Sequence, residues 1–301
     1  MFTLPNEPQG IGRILDNGFR LFKAGIKGAL GIMLIMIGST IVLSIVLSLV
    51  MGAAGSLFMG AGSFDQPPHF GLGAILIMLI ISIASALFFT YFYVALILNY
   101  ANVAYQKNTD IGNALSGAFP RLLSAVGATL IVVVFLFLLL IPTFAYELSV
   151  MHKLAAGEAS FVMTQIVQFV LQIPYYLFAI TLSFTIYRVV IDNYGPVSAV
   201  IGSHKLVWGH FWRTTLWLLI IYLIVAVLFL AVFTPLFGGA FMSGQGGMPN
   251  ISPSAAIIGV LAMLILMMFL FPFIIAMTIP YYHDLKLRKE GADLADRIMA
   301  A

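Results

Sequence analysis

Long runs of apolar residues, separated by short polar segments, dominate this chain. The stretch 214–283 contains no Asp, Glu, Lys or Arg. As a single helix it would measure about 105 Å, far more than the ~30 Å hydrocarbon core of a bilayer. A segment rich in Gly and Pro at 238–254 divides the stretch into two apolar runs. This part of the chain is therefore predicted to cross a membrane twice.

Apolar runs of this kind occur six times, and each is long enough to cross a bilayer with spare length for tilt. Because the runs are continuously apolar, they favour α-helices over the alternating strands of a membrane β-barrel. The sequence predicts an all-α, polytopic membrane protein that forms a single integral membrane domain over residues 1–301. The predicted spans are 29–54, 71–99, 122–145, 161–190, 214–238 and 255–280, followed by a tail at 281–301.

The composition supports a lipid environment. Hydrophobic residues make up 62% of the chain and charged residues 8%, whereas soluble domains carry about 25% charge. So few charges cannot cover a water-facing surface of this size. The net charge of +3 is interpreted as an orientation signal, which argues against nucleic acid as a partner. The absence of cysteine excludes disulfides, thiol catalysis and cysteine metal sites.

The distribution of basic residues predicts the orientation. All Lys and Arg residues except Lys153 fall in the N-terminal segment, the second and fourth connections or the tail. The positive-inside rule then places both termini in the cytoplasm. The N-terminus shows no short apolar core with a cleavage site, so the first span is expected to act as the insertion signal.

The cytoplasmic segments themselves carry helical patterns. In residues 8–28, apolar side chains recur at helical spacing and the basic residues lie mainly off that stripe, which predicts an amphipathic helix in the headgroup layer. Segments 110–121 and 195–213 precede the third and fifth spans in the same way. The predicted architecture is therefore three helical hairpins, each preceded by a cytoplasmic interfacial amphipathic helix. This favours a threefold repeat, although any hairpin protein with short connections gives a similar pattern. The apolar stripe consists of Ile11, Ile14, Leu15, Phe19, Phe22 and Ile26.

Three motifs together resemble a known bacterial group. They are GIGRILDNGFRLF at 10–22, DNYGPVSAVIGSHKLVW at 192–208 and YYHDLKLRKEG at 281–291. The chain resembles the membrane domain associated with glycerophosphoryl diester phosphodiesterases, and related small six-span inner-membrane proteins. The closing motif departs from the family pattern, because His283 precedes Asp284 and Lys286 stands where arginine is usual.

The resemblance implies a membrane module in the bacterial inner membrane. It does not imply a phosphodiesterase, because that activity belongs to a soluble barrel of about 250 residues and no stretch outside the predicted spans is that long.

Basic and aromatic residues of the predicted interfacial helices are candidates for contact with anionic lipid headgroups. Each basic residue near such a surface contributes about 1 kcal/mol of attraction. The candidates are Arg13, Arg20, Lys23, Lys27, Lys205, Trp208, Trp212 and Arg213.

A polar stripe runs along the outer half of the fourth predicted span. Gln165, Gln168 and Gln172 are spaced three and four apart, and Tyr175 and Tyr176 follow near Pro174. Unpaired amides are costly in hydrocarbon, so the stripe is expected to face other helices or water. It predicts either interhelical hydrogen bonds or a polar cavity open to the outside, with the proline bending the helix.

Charged residues at the cytoplasmic ends of the returning spans suit a structural tie. Arg188 and Asp192 are four apart, as in a helical ion pair, and Asp284 is an alternative partner for Arg188. A headgroup or partner site is the second interpretation of the same residues.

No residue pattern indicates catalysis. The predicted spans contain no Asp, Glu, Lys or Arg well inside them, and none of the five histidines forms a close ligand pair. We therefore expect no catalytic residue, cofactor or metal site. The leading hypothesis is a non-enzymatic module for lipid interaction, membrane organisation or handling of a hydrophobic or amphipathic substrate. Alternatives are a transporter or channel lined by the fourth span, and a subunit that docks a membrane protein partner or a second copy of itself.

Overall fold

The computed structural model describes residues 2–58, 72–107, 109–157, 160–242 and 253–300. Every regular element in these ranges is an α-helix. The helices are α1 (Ile11–Phe58), α2 (Leu72–Ala104), α3 (Ile111–Ala155), α4 (Phe161–Thr181), α5 (Thr185–Asp192), α6 (Pro196–Trp208), α7 (Phe211–Met242) and α8 (Pro253–Ala300).

Six helical segments of the described residues are long and apolar enough to cross a membrane, which confirms the predicted all-α, six-span class. The fourth is formed by α4 and α5 together. The segments are Ile11–Leu49, Leu76–Ala104, Ile111–Lys153, Phe161–Asp192, Phe211–Thr234 and Ile257–Lys289. Residues 59–71 and 243–252 lie outside the described residues, and residue 71 among them belongs to the second predicted span.

The helices α1 and α3 differ from the prediction of separate interfacial helices. Each runs without a break from the basic segment into the apolar segment, with α1 covering 48 residues. In α1, residues 27–30 contain one glycine and no stronger turn signal. In α3, Pro120 lies inside the helix without ending it. Only α6 is a separate short helix before a span. The location of these segments in the headgroup layer stays a prediction.

Helix α1 packs against α2 and α8 through a face of small residues that the amphipathic pattern did not predict. Gly18 contacts Met277 of α8, and Gly25 lies against the buried ring of Tyr100 in α2. Small residues allow helix backbones to approach closely. Such close packing is important in lipid, because the hydrophobic effect does not drive helices together there. Of the predicted apolar stripe, Ile14 is buried, whereas the side chain of Phe19 is 44% exposed. The face of α1 that packs against other helices therefore overlaps the predicted stripe only in part.

Replacing Gly25 with alanine is expected to loosen the contact between α1 and α2. The added Cβ would lie 2.5 Å from the Cε1 atom of Tyr100. Such overpacking costs about 1–3 kcal/mol, which exceeds the gain of up to about 1 kcal/mol in helix propensity. Thermal unfolding of the protein in nanodiscs measures the change. Gly12→Ala is the control, because nothing lies within 4 Å of its Cβ position, so this variant is expected to be as stable as the original protein or more so.

The fourth span is broken between α4 and α5, at Leu182–Phe184, and not at Pro174, which lies inside α4. The hydroxyl of Ser203 in α6 bridges the break. It accepts a hydrogen bond from the Phe184 amide at 3.2 Å and donates one to the Thr181 carbonyl at 2.8 Å. Ser203 is fully buried. It therefore satisfies backbone groups that the interrupted helix leaves free inside the protein.

Among the described residues, the buried side chains are concentrated at one end of the bundle. This end, here called the basic end, holds residues 2–10, the α2–α3 and α5–α6 connections and residues 284–289. Aromatic rings fill its interior, with Trp217 stacked on Tyr281 at a centroid distance of 4.8 Å and Phe184 beside Tyr281. Towards the other end, large apolar side chains such as Leu49 and Leu223 are exposed. This distribution is typical of helices that present their outer faces to lipid.

Candidate functional site

A buried carboxylate organises the charged residues of the basic end. Asp284 on α8 is 1% exposed. Its Oδ2 atom lies 3.0 Å from an Nη2 of Arg213 on α7 and 2.8 Å from the Nε of Arg288. The backbone amide of Gln9 donates to the other carboxylate oxygen at 2.6 Å. A charge removed from water in this way needs such partners, so Asp284 joins α7, α8 and the N-terminal segment.

The N-terminal segment is held against this cluster. The carbonyl of Gln9 accepts hydrogen bonds from Arg213 at 2.6 Å and from Arg288 at 2.8 Å. The carbonyl of Pro5 accepts one from the His283 ring at 3.0 Å, and Phe2 is buried. Residues 2–10 therefore form part of the folded structure.

The second carboxylate of the basic end, Asp192 at the end of α5, has three neighbours. The Tyr282 hydroxyl donates to it at 2.5 Å, the Nζ of Lys286 lies at 2.8 Å and the Nε of Arg188 at 3.8 Å. The predicted contact between Arg188 and Asp192 is therefore present at ion-pair distance. Asp284, the alternative partner of Arg188, is bonded to Arg213 and Arg288, because α7 and the next turn of α8 bring those side chains closer.

His210, in the connection between α6 and α7, has an altered proton affinity. Partial burial lowers its pKa below the ordinary value of 6.5, and the positive charges of Arg288 and Arg213 lower it further. Asp284 acts in the opposite direction, and Lys289 adds to the lowering. The folded protein therefore favours the neutral ring.

This shift predicts a loss of stability in mild acid. Because the pKa of His210 is lower in the folded state, the unfolded chain binds more protons near pH 6.5 and just below it, and the folded state loses stability as the pH falls through this range. His210→Gln is expected to remove this part of the pH dependence. Unfolding temperatures measured across that range give the comparison, with His152→Gln, an exposed site at the opposite end, expected to keep the original profile. Identical profiles for the two variants would contradict the assignment.

The remaining headgroup candidates lie on the surface. Arg13, Arg20, Lys23 and Lys27 are exposed on α1, and Lys205 is exposed on α6. The side chains of these five residues form no ion pair or hydrogen bond with the residues that the structure describes. Arg213 differs from them, because its guanidinium binds Asp284 and Gln9. Arg213 is therefore part of the internal cluster and is not a free cation for lipid.

Two of the three tryptophans of the chain are surface residues beside these cations. Trp208 ends α6, and Trp212 is at the start of α7 with 81% of its side chain exposed. Exposed tryptophans at the end of an apolar helix are typical of the interface between headgroups and hydrocarbon. They indicate the level at which the basic end would meet the membrane surface.

The glutamine stripe is not enclosed between helices. Gln165 is exposed, and Gln168 and Gln172 are half-buried. Gln168 donates to the Glu147 carboxylate on α3 at 3.0 Å, and the Tyr176 hydroxyl donates to Gln172 at 2.9 Å. The ring of Tyr175 packs edge-on against that of Tyr176. The stripe therefore makes interhelical and local hydrogen bonds, as the first of its two interpretations expects.

The described residues include two clefts that are not lined by the glutamine stripe. One, of about 520 Å³, is apolar and lies between α1 and Phe88 of α2. The other, of about 280 Å³, lies at the basic end between α3 and α5. Within the described ranges no three His, Asp or Glu side chains are grouped closely enough to hold a metal ion.

Comparisons of the chain with protein-family models, with curated proteins and with solved structures found no match.

Proposed function

We propose that this chain is a non-enzymatic, multi-pass module that binds anionic phospholipids at its basic end. We further propose that it lies in the inner membrane of a bacterium with both termini in the cytoplasm, in line with the distribution of its cations and the family resemblance. The observation that carries the proposal is a difference between the buried carboxylates and the exposed cations. Asp192 and Asp284 are neutralised inside the protein, while five cations on α1 and α6 stay exposed.

The cations of α1 form a stripe. At 100° per residue, Arg13, Arg20, Lys23 and Lys27 fall within an arc of about 80°, which they share with Asp16. The stripe extends about 21 Å along the helix, more than the headgroup layer of one leaflet can cover. Because α1 continues into its apolar part without a break, Lys23 and Lys27 lie nearest the membrane. Arg13 and Arg20 act over a longer distance, and salt screens their attraction more strongly.

Lipid selectivity of the purified protein tests the proposal. The triple variant Lys23→Gln, Lys27→Gln, Lys205→Gln is compared with the original protein for retention of phosphatidylglycerol over phosphatidylcholine by native mass spectrometry. Since each cation contributes about 1 kcal/mol, the preference is expected to fall on the order of 10- to 100-fold at low salt. Unchanged retention would rule out a role for these cations.

Two further variants serve as controls. Lys153→Gln removes a cation from the opposite end and is expected to leave the preference unchanged. The double variant Arg13→Gln, Arg20→Gln is expected to have a smaller effect than Lys23→Gln, Lys27→Gln. Equal effects would indicate that this part of α1 lies flat on the membrane, as the amphipathic pattern predicts.

The handling of an amphipathic substrate is a second candidate within the same proposal. The apolar cleft between α1 and α2 includes Val42, Val46 and Phe88, so its lining is suited to a lipid acyl chain. A path along the fourth span has no comparable support, because Gln168 and Gln172 make hydrogen bonds within the protein and neither of the two clefts is lined by the glutamine stripe. Docking of a membrane protein or a second copy stays a prediction, and a stoichiometric partner in native mass spectra would favour it.

A further inference from the structure

The cleft at the basic end is a pocket with an unusual set of polar groups. It lies between α3, α5 and the connection to α6, with a volume of about 280 Å³. That volume is suited to a phosphate group with part of its alcohol, and it is small for a whole lipid. The lining residues are Pro120, Arg121, Ser124, Val189, Asn193 and Tyr194.

The structure fixes the Arg121 guanidinium at the cleft. Its Nε donates to the Asn193 side-chain oxygen at 2.9 Å, and its Nη1 donates to the Gly117 carbonyl at 2.8 Å. Asn193 ends α5 with a φ of 56°, a left-handed conformation that asparagine tolerates. Two of the three guanidinium nitrogens are thus held by protein oxygens, and Nη2 makes no hydrogen bond with the described residues. The charged group is oriented before any ligand arrives.

Two hydroxyls add to this donor set. Ser124 and Tyr194 line the cleft, and their hydroxyls make no hydrogen bond with any described residue. The Tyr194 ring has the Arg188 guanidinium over its face, 4.8 Å from the centroid, which holds the ring in place. None of the six lining residues carries a carboxylate. A fixed cation with two free hydroxyls is therefore suited to an anion rich in oxygen acceptors, and phosphate meets this description.

We propose that this cleft binds the phosphate group of an anionic phospholipid headgroup. The inference rests on the proposed function and deepens it, because it assigns one discrete site besides the diffuse attraction of the α1 stripe. A basic pocket between membrane helices on the side that carries the positive charge is the setting in which proteins hold individual anionic headgroups. Soluble phosphate esters carry the same phosphate group, so the test must distinguish a lipid headgroup from a soluble ester.

Binding to Arg121→Gln is the first test. Short-chain phosphatidylglycerol is titrated onto the full-length protein in detergent, and the dissociation constant is compared with that of the original protein. Loss of a charged hydrogen-bonding partner is expected to weaken binding at least about tenfold. Lys107→Gln is the matched control, because it removes one exposed cation from the same end outside the cleft. Its effect is expected to stay below about twofold.

A second variant leaves the guanidinium and its structural bonds in place. Ser124→Ala combined with Tyr194→Phe removes only the two free hydroxyls, so it keeps the test valid if Arg121→Gln does not fold. Binding is expected to weaken roughly three- to tenfold, since each neutral hydrogen bond contributes about 0.5–1.5 kcal/mol. Glycerol 3-phosphate is the competitor. Failure to displace the lipid supports a headgroup site, whereas displacement at equal concentration would overturn the lipid assignment in favour of a soluble phosphate ester.

The outcomes separate this inference from the proposed function. If Arg121→Gln and the hydroxyl double variant both bind like Lys107→Gln, while the original protein still prefers phosphatidylglycerol over phosphatidylcholine, the cleft is not the site and the proposed function stands. If the original protein shows no preference between the two lipids, both proposals are overturned.

Discussion

Asp284→Asn is expected to destabilise the folded protein by about 3 kcal/mol. The carboxylate is buried and neutralises Arg213 and Arg288, which are themselves about one quarter exposed. Removal of one member of a buried ion pair costs about 3–5 kcal/mol because the partner charges stay in place without compensation. The partial exposure of both arginines puts the expected value at the lower end. The amide also makes a poorer acceptor for the backbone N–H of Gln9.

Unfolding of the reconstituted protein in denaturant measures this loss. Asp16→Asn is the matched control, because it removes the same charge from an exposed position on α1. We expect its free energy of unfolding to change by less than about 0.5 kcal/mol. Equal stability of the two variants would show that Asp284 does not hold α7, α8 and the N-terminal segment together.

Trp217→Ala is expected to cost about 3–5 kcal/mol, the range typical of large-to-small substitutions of buried aromatic residues. The side chain is 0% exposed and stacks on Tyr281 with an interplanar angle of 3°. Its indole nitrogen has no hydrogen-bonding partner among the described residues, so the loss comes from packing. The ring of Tyr281, which stacks on Trp217, would border the resulting cavity.

Trp212→Ala in the same helix is the control for this prediction. Its side chain is almost fully exposed, so unfolding of the protein in detergent is expected to change little. The same variant is expected to weaken association with phospholipid, because an interfacial anchor is lost. A large effect of Trp212→Ala on unfolding in detergent, or a small effect of Trp217→Ala, would contradict the placement of the core at the basic end.

The sequence predicted the membrane spans well because their signal is local. A run of apolar side chains long enough to cross a bilayer is visible without knowledge of any contact. At the start of α1 the local pattern did not identify the packing face. It predicted an apolar stripe suited to the headgroup layer, whereas the face packed against other helices includes Gly18 and Gly25, whose role depends on Met277 and Tyr100 far along the chain.

The break between α4 and α5 had no readable signal. Pro174 is the visible candidate for a bend, and it lies inside α4, which continues through it. The break at Leu182–Phe184 is stabilised by Ser203 from another helix. A serine within an amphipathic segment gives no indication of such a partner. Breaks that depend on tertiary hydrogen bonds cannot be located from propensities alone.

The charged cluster could be predicted only in part. The spacing of Arg188 and Asp192 gave a pair within one helix, which the structure places at 3.8 Å. The partners of Asp284 include Gln9 of the N-terminal segment and Arg213 of α7. Such long-range pairing follows from how the helices assemble. For the same reason Arg213, which lies beside Trp212 in the sequence, was assigned to lipid contact.

Six crossings with nearly all cations at one membrane face are the basis of the proposed lipid-binding end. The chain contains no cysteine, so single thiols introduced at Lys107, Lys205 and Lys153 can be labelled with a maleimide that does not cross membranes. We predict that positions 107 and 205 react only from the cytoplasmic face, and that position 153 reacts only from the opposite face. Labelling of 107 and 205 from opposite faces would contradict the topology and, with it, the proposed lipid-binding end.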